Sequence, residues 1–151
     1  MTDVYLSLGS NLGSRHAQLV LAIDLLARRV GRLVRASSFF ETEPWGFTSP
    51  NTFLNAAVLL RTTLTPRQVL EETQAIERLL GRTRKTPSAQ TAAQPLPSGS
   101  EAPPAYADRP IDIDILLYGD EHVDAPDLKI PHPLMNQREF VLRPLREIKA
   151  E

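Results

Sequence analysis

IDIDILLYG, the stretch from Ile111 to Gly119, alternates apolar and charged side chains along its first five residues. Such alternation over β-branched residues is typical of a β-strand with one buried face. Residues i and i+2 of a strand share a face and lie about 7 Å apart. Asp112 and Asp114 are therefore expected side by side, while the isoleucines turn toward a core.

Two carboxylates held this close repel each other unless a positive charge lies between them. Mg²⁺ suits the position, because it accepts a few carboxylates and completes its octahedron with water and substrate phosphates. A bare Asp-x-Asp pattern is weak, so two interpretations stay open at this point. The strand carries either a magnesium site or a solvated acidic face.

The composition narrows the class of protein. A chain of 151 residues, 42% hydrophobic and 23% charged, favours one soluble domain with a core of its own. A net charge of −1 gives no basic field for nucleic acid. The absence of cysteine excludes disulfides and thiolate metal sites. No apolar run has membrane length, and residues 1–10 do not resemble a signal peptide, so we expect a cytoplasmic protein.

The N-terminal third predicts a strand, a glycine turn and a helix. The strand covers Val4–Leu8, the turn covers Gly9–Gly13, and the helix runs from about Ser14 to a C′ glycine at Gly31. The turn is interpreted either as a phosphate-binding loop or as a tight connection that needs positive φ. It lacks the Walker lysine and the dinucleotide spacing.

Two further strands are predicted, over Leu33–Phe40 and Phe53–Arg61, and a loop rich in turn formers and aromatic residues joins them. Asn55 is the one amide in the otherwise apolar start of the later strand. A buried amide needs hydrogen-bond partners. Its side chain is expected either to bond nearby backbone or to face the hydrogen-bonding edge of a heterocycle.

Thr65-Pro-Arg-Gln68 predicts the start of a second helix, with Thr65 as N-cap and Gln68 completing a capping box. The helix is expected to end at Leu80, before Gly81. Beside its apolar stripe runs a partly polar one, which is either solvent face or part of a site: Leu70, Gln74 and Glu77. A basic cluster follows, interpreted as a phosphate clamp or a solvated charge run: Arg78, Arg82, Arg84 and Lys85.

Residues 86–105 are rich in Pro, Ala and Ser and predict a flexible insert within a single domain of residues 1–151. The insert lies between the basic cluster and the acidic strand, so it is a candidate lid. His132, between two prolines, is interpreted as either a surface residue or an aimed ring. A last short helix from Asn136 is expected to stop or kink near Pro144.

The predicted order β-α-β-β-α-β is that of an α+β, ferredoxin-like sandwich, an antiparallel sheet with helices packed on it. This arrangement hosts many functions. From the residues alone, the prediction ends at a Mg²⁺-dependent, nucleotide-using α+β enzyme.

Six collinear stretches together resemble the hydroxymethyl-dihydropterin pyrophosphokinase family. They are LGSNLG (8–13), SSFFETEPWG (37–46), FLNAAV (53–58), QAIERLLGRTR (74–84), RPIDIDILLYG (109–119) and IPHPLMNQREFVLRPL (130–145). The resemblance implies transfer of pyrophosphate from ATP to the hydroxymethyl group of 6-hydroxymethyl-7,8-dihydropterin, giving AMP and the pterin diphosphate in tetrahydrofolate biosynthesis. It implies two Mg²⁺ ions, small-molecule substrates, no nucleic-acid or membrane partner, and a monomer.

The resemblance also implies roles for individual residues. The metal ligands would be Asp112 and Asp114, with Asp112 also a possible general base. The phosphate clamp would be Arg82, Arg84 and Arg109. The pterin would meet Thr42, Pro44, Trp45, Phe53, Asn55, Asp112, Arg138 and Phe140, with the two phenylalanines on either side of the ring. The nucleotide would meet Leu70, Gln74, Glu77, Arg84, Tyr106, Arg109, Ile115 and His132.

The chain departs from the family pattern at a few positions. Tyr106 stands where a tryptophan is usual, the insert before it is long, Phe53 replaces a usual tyrosine, and little chain follows Glu147. Two other classes remain as alternatives. One is another metal-dependent enzyme on a similar sheet, such as a nucleotidyl transferase or cyclase, and the other is a non-enzymatic RNA- or ligand-binding domain.

Overall fold

The structure, a computed structural model, describes residues 1–11, 14–42, 52–81, 111–133 and 139–149. Its strands are β1 (Thr2–Ser10), β2 (Gly31–Ala36), β3 (Phe40–Thr42), β4 (Phe53–Thr62), β5 (Asp112–Tyr118), β6 (Val123–Ala125) and β7 (Leu128–Ile130). Its helices are α1 (Arg15–Arg29), α2 (Pro66–Leu79) and α3 (Glu139–Lys149). None of the helices in these ranges is long and apolar enough to cross a membrane.

The main sheet has the order β2-β4-β1-β5, and β3 pairs with β4 beyond the end of β2. Every neighbouring pair in it is antiparallel. Strands β6 and β7 form a separate two-stranded hairpin. The protein is therefore a mixed α/β structure with an antiparallel sheet and three helices among its described residues.

The sheet is covered on both faces. On one face its alternating apolar residues meet α1 and α2, and Leu19, Leu26 and Ile76 of those helices are fully buried. On the other face α3 packs through Val141 and Leu145. Because side chains alternate along a strand, the register of β1, β4 and β5 assigns each residue to one of these two faces.

A β-bulge interrupts β5 near its end. Leu6 pairs with Ile115 but Val4 pairs with Tyr118, so the β5 strand contains one residue more than β1 over this interval. The extra residue returns the Tyr118 side chain to the α1–α2 face, where its hydroxyl donates to the Leu64 carbonyl at 2.5 Å. Leu116 packs on the α3 face instead.

The predicted second helix is confirmed together with its capping box. The Thr65 hydroxyl accepts from the Gln68 N–H at 3.1 Å, and the Gln68 side-chain oxygen accepts from the Thr65 N–H at 2.9 Å. Both bonds satisfy N–H groups that the first helical turn leaves without intrahelical partners. Gly81 follows the helix with φ of 104°, a conformation that favours glycine.

The prediction of one strand over Leu33–Phe40 is wrong, because the chain leaves the ladder after Ala36 and rejoins it at Phe40. Between them, the Ser37 N–H donates to the Ala57 carbonyl, and the Ser37 hydroxyl accepts from the Ala57 N–H, each at 2.9 Å. A serine hydroxyl thus replaces a ladder carbonyl, and the strand is split in two.

The prediction that Gly9 begins a turn is wrong, whereas Gly31 does follow the end of α1 as predicted. Gly9 lies inside β1, not in a turn, and neither glycine has positive φ. Gly31 begins β2, where a β-carbon would lie 2.3 Å from the Arg61 carbonyl oxygen of β4. Close backbone approach, not left-handed conformation, requires glycine at this position.

The last helix does not stop at Pro144, because α3 continues through it to Lys149. Three contacts fix the helix against β2, β3 and the segment that joins them. The Arg143 guanidinium lies 4.6 Å from the centroid of the Phe40 ring, the Arg35 side chain donates to the Ile148 carbonyl, and the Ser38 N–H donates to the Glu147 carboxylate. The predicted helix start at 136 and the insert at 86–105 lie outside the described residues.

Candidate active site

Three residues form a row across three neighbouring strands at one end of the sheet. In the strand register, Gly9 of β1 pairs with Asn55 of β4 on one side and with Asp112 of β5 on the other. Directly paired residues share a face, and this row lies on the α3 side. Neighbouring strands are about 4.8 Å apart, so two strand spacings of about 10 Å separate the Asn55 and Asp112 backbones.

Asn55 is held in a defined orientation at one end of the row. It is 2% exposed, and its side-chain Nδ2 donates to the Thr42 hydroxyl at 2.5 Å. Its partner is thus a neighbouring side chain, not the nearby backbone that one interpretation of the sequence expected. Phe53, two residues earlier on the same face, pairs with Thr42 and is also buried. These three side chains form a small polar and aromatic pocket wall.

Gly9 is a site residue that the sequence analysis did not identify. A β-carbon at this position would lie 3.0 Å from Asn55 Oδ1 and 3.4 Å from Cδ1 of the Phe53 ring. The bare backbone therefore leaves room for both side chains. A glycine inside a strand signals close approach of another group, and that rule would have found it.

The two aspartates lie next to the row. Asp114 pairs with Ser7, two residues from the Gly9–Asp112 pair, so both carboxylates project from the face that carries Asn55. Asp114 is 7% exposed and Asp112 is half-buried. The predicted side-by-side arrangement is confirmed, and a fully solvated acidic face is excluded for Asp114.

This donor set fits a magnesium ion that is shared with a substrate. Carboxylate oxygens are the ligands that Mg²⁺ prefers, and a site that binds phosphates needs only one or two of them from the protein. Within the described ranges no group of three or more histidine, cysteine, aspartate and glutamate side chains could hold a metal by itself. The pair Asp112 and Asp114 is suited to an ion whose remaining ligands are water and phosphate oxygens.

Two residues that are predicted to bind the nucleotide, Glu77 and His132, lie against the outer edge of β5. Glu77 of α2 is 2% exposed, and its Oε2 accepts from the N–H of Ile113, the residue between the aspartates, at 2.8 Å. The His132 N–H donates to the Leu116 carbonyl at 3.0 Å. The solvent-face interpretation of Glu77 and the surface interpretation of His132 are therefore wrong.

His132 also approaches the acidic pair directly. Its ring is buried, and Nε2 lies 4.0 Å from Asp114 Oδ2. The backbone bond to β5 fixes the chain at His132 beside the strand that carries the aspartate. His132 therefore contacts β5 in two ways: its backbone bonds the edge of the strand, and its ring lies near the Asp114 carboxylate on the face of the strand.

The other described residues that are predicted to bind the nucleotide differ in their exposure to solvent. The Ile115 side chain is fully buried in the core against α1 and α2, so only its backbone can meet a ligand. Leu70 is buried in the same cluster, and Gln74 is half-buried.

Phe140, which is predicted to contact the pterin, is half-buried in the first turn of α3 and packs against the α3 side of the sheet.

Several predicted site residues lie outside the described residues. They are Arg82, Arg84, Tyr106 and Arg109 of the phosphate and nucleotide sets, and Pro44, Trp45 and Arg138 of the pterin set. The described site is therefore an amide-and-aromatic pocket wall on β3 and β4, an acidic pair on β5, and a polar edge beyond them. These features are typical of an enzyme site for a small molecule, in which an amide and an aromatic ring lie beside a pair of carboxylates.

Comparison with known proteins identifies the family within that class. The profile of the 7,8-dihydro-6-hydroxymethylpterin-pyrophosphokinase (HPPK) family matches residues 5–150. The chain belongs to this family.

Individual relatives agree over nearly the whole chain. The 2-amino-4-hydroxy-6-hydroxymethyldihydropteridine pyrophosphokinase of Porphyromonas gingivalis is 52% identical over 149 residues, which cover 98% of this chain and 91% of the relative. The protein of the same name from Bacillus subtilis is 39% identical, with coverage of 95% and 76%.

Solved structures agree in fold. The chain is similar to an HPPK-DHPS crystallised in complex with substrates, with a TM-score of 0.70 at 13% identity. It is also similar to a Plasmodium falciparum HPPK-DHPS, with a TM-score of 0.67 at 15% identity. The similarity covers 97% and 98% of this chain but 40% of each of those chains, so this chain spans about two fifths of their length.

Proposed function

We propose that the protein transfers pyrophosphate from ATP to the hydroxymethyl group of 6-hydroxymethyl-7,8-dihydropterin, giving AMP and the pterin diphosphate. Family membership and the names of the close relatives support this reaction. The observation that carries it in the structure is the row Asn55–Gly9–Asp112. It sets an oriented amide about two strand spacings from a carboxylate, with no side chain between them.

The pterin would occupy the Asn55 end of this row. A pterin edge offers both hydrogen-bond donors and acceptors, and a buried amide held by Thr42 can read such an edge with little loss of entropy. The Phe53 and Phe140 rings would stack on the heterocycle, and aromatic contacts supply much of the affinity for flat ligands. Pro44, Trp45 and Arg138 remain predicted members of this half.

Asp112 and Asp114 would hold two Mg²⁺ ions. When bound, these ions would neutralise phosphate charge and hold the triphosphate in line for displacement. Asp112 lies in the row that contains Asn55, so it is the carboxylate nearer to the pterin half. It is therefore also the candidate to accept the proton of the hydroxymethyl group.

The nucleotide would lie along the outer edge of β5. Glu77 and His132 border that edge, and the half-buried Gln74 and the Ile115 backbone belong to the same predicted set. Leu70, Arg84, Tyr106 and Arg109 complete the prediction, with Arg82 as a further phosphate ligand. Guanidinium groups suit this task because they bind phosphate oxygens in a bidentate manner.

In the reaction the hydroxymethyl oxygen forms a bond to the β-phosphorus while the bond from the β-phosphorus to the α,β-bridging oxygen breaks, and AMP leaves. Phosphoryl-type transfer depends mainly on position and on charge stabilisation. The chain would contribute by fixing the pterin and the phosphates on one rigid sheet. No covalent intermediate with the protein is required.

The remaining finer predictions accompany this proposal. The strand order β2-β4-β1-β5, antiparallel throughout, supports a ferredoxin-like assignment. We further propose one pyrophosphokinase domain over residues 1–151, a monomer, and cytoplasmic residence. The insert at 86–105 lies outside the described residues, and its assignment stays a prediction from the sequence.

The reaction is tested by incubating the protein with ATP, Mg²⁺ and 6-hydroxymethyl-7,8-dihydropterin and separating AMP, ADP and pyrophosphate. AMP formed only in the presence of the pterin is the expected result, and it should be lost in Asp112→Asn and Asp114→Asn. Asp124→Asn, which removes an exposed carboxylate on β6, is the matched control and should retain activity. Release of ADP or pyrophosphate instead would indicate a kinase or a nucleotidyl transferase and would contradict the proposal.

A further inference from the structure

Arg15, Glu41 and Thr52 form a closed cluster, here called the β3–β4 clasp. Arg15 Nη1 donates to the Thr52 carbonyl at 3.0 Å and to the Thr52 hydroxyl at 2.8 Å. The same nitrogen lies 2.9 Å from Glu41 Oε2, and the Thr52 hydroxyl donates to that oxygen at 2.8 Å. Each member therefore contacts both of the others.

The clasp connects three separate parts of the chain. Arg15 is the first residue of α1, Glu41 is the middle residue of β3, and Thr52 immediately precedes β4. The hydrogen bond from Thr52, followed by the bond and charge of Arg15, lowers the pKa of the Glu41 carboxyl below its ordinary value. The Glu41 carboxyl is therefore ionised at neutral pH and carries the charge that faces Arg15.

The clasp lies next to the pocket wall but on the opposite face of the sheet. β3 has three residues and pairs with β4 alone, and Thr42–Phe53 is the last pair of that ladder. Glu41 precedes Thr42 and Thr52 precedes Phe53, so the clasp closes the ladder at this pair. Short ladder ends open easily, because few hydrogen bonds hold them.

The position of Thr42 matters for Asn55. The Thr42 hydroxyl accepts from the Asn55 amide, so separation of β3 from β4 at this end would release the amide from its orientation. Arg15 is the member that comes from outside the ladder, because its backbone belongs to a helix that packs on β1, β2 and β4. The helix therefore braces the short strand.

We propose that Arg15, Glu41 and Thr52 are positioning residues for the pterin substrate, which act by holding β3 on β4 so that Thr42 keeps the Asn55 amide aimed. This inference rests on the proposed function. None of the three touches the pocket face itself. Their loss should weaken binding of the pterin selectively and leave ATP and the chemical step unaffected.

The test measures the KM for the pterin, the KM for ATP and kcat for Arg15→Ala, Glu41→Gln and Thr52→Val. The KM for the pterin is expected to rise about two- to fivefold, the range expected of a partly exposed charge cluster. The KM for ATP and kcat should stay unchanged within error. Thr52→Ser keeps the hydroxyl, so its KM for the pterin should equal that of the unaltered protein, in contrast to Thr52→Val.

A control variant is available on the same helix. Arg28 forms an exposed ion pair with Asp24 at 3.0 Å, three turns away from the clasp end of α1. Arg28→Ala removes an arginine whose side chain is more exposed than that of Arg15, at 73% against 31%, and should leave all three kinetic constants unchanged. The double variant Arg15→Ala/Glu41→Gln should be no worse than the poorer single variant, because the residues act as one unit.

Three results would contradict the inference: equal rises in both KM values, a fall in kcat alone, or no change in any constant. Failure of the proposed function has a different signature, since the unaltered protein would then form no pterin-dependent AMP. An independent readout is pterin binding followed by the fluorescence of Trp45, the single tryptophan of the chain. The clasp variants should show weaker pterin binding, with ATP binding unchanged.

Discussion

Gly9 and Asn55 face each other across β1 and β4, and a β-carbon on Gly9 would lie 3.0 Å from the amide oxygen of Asn55. The glycine therefore determines where the amide can lie. It also keeps the space between the amide and Asp112 clear of side chains. A residue with no functional group of its own thus shapes the centre of the candidate site.

Gly9→Ala should raise the KM for the pterin about tenfold or more, because overpacking of a filled site typically costs about 1–3 kcal/mol. The added methyl group would displace the Asn55 amide and the Phe53 ring. Steady-state kinetics with each substrate varied in turn would measure the effect. The double variant Gly9→Ala/Asn55→Ala relieves the contact and should show less than the sum of the two single losses. Additive losses would mean that Gly9 acts elsewhere.

Glu77→Ala should destabilise the protein by about 1–3 kcal/mol, because it leaves the buried Ile113 N–H without its carboxylate acceptor. Glu77→Gln retains an acceptor oxygen and should lose less. Urea unfolding, monitored by circular dichroism, would give the free energy of unfolding of each variant. Glu71→Ala, at an exposed position of the same helix, is the control and should stay within about 0.5 kcal/mol. Equal effects of the alanine and glutamine variants would show that charge, not the hydrogen bond, dominates.

Gly31→Ala should destabilise the fold strongly, by about 3 kcal/mol or more, since its β-carbon would overlap the Arg61 carbonyl of β4. The clashing atom belongs to a ladder strand, so it cannot move without breaking sheet hydrogen bonds. Thermal unfolding would report the loss as a lower Tm. Gly81→Ala is an informative comparison, because a β-carbon there meets open space and only the positive φ opposes it. The free energy of unfolding of Gly81→Ala should fall by about 1 kcal/mol.

The ion pair between Arg67 and Asp127 should make stability depend on pH. Its hydrogen bond, at 2.5 Å, lowers the folded-state pKa of Asp127 below the ordinary value of 3.8. A lowered folded pKa gives stability that is present above pH 3.8 and is lost as the pH falls through the folded pKa. Urea midpoints of the protein and of Asp127→Asn should therefore differ at pH 6 and converge toward pH 3.

Asp120→Asn, in the exposed turn after β5, provides the control for that experiment. Its midpoint should follow that of the unaltered protein at both pH values. A difference between the protein and Asp127→Asn that persists at pH 3 would mean that the Asp127 side chain stabilises by packing and not by charge.

Much of the architecture follows from local sequence. The alternation in β5 predicts the shared face of Asp112 and Asp114, and the capping box predicts the start of α2. Both signals are carried by residues within four positions of one another. Short-range patterns of this kind depend on backbone periodicity alone, so they need no knowledge of tertiary contacts.

The features that the sequence did not predict all depend on a distant partner. Glu77 is charged on a helix and looks like solvent face until β5 provides a backbone N–H for it. Ser37 breaks a strand because its hydroxyl bonds Ala57, and the bulge that places Leu116 appears only when β5 pairs with β1. Gly9 likewise has meaning only beside Asn55. Tertiary contacts outweigh propensity at each of these positions.

Because the amide and the acidic pair lie on hydrogen-bonded strands on either side of β1, the separation between them is a property of the backbone. Side-chain substitutions can change how tightly each half of the site holds its ligand, but they leave this separation intact. Substitutions during evolution can therefore change the affinity for each substrate, whereas a different separation would require the strands to be paired differently. The distance between the two bound substrate groups is thus fixed by the pairing of the strands, and proteins that share this fold should share it.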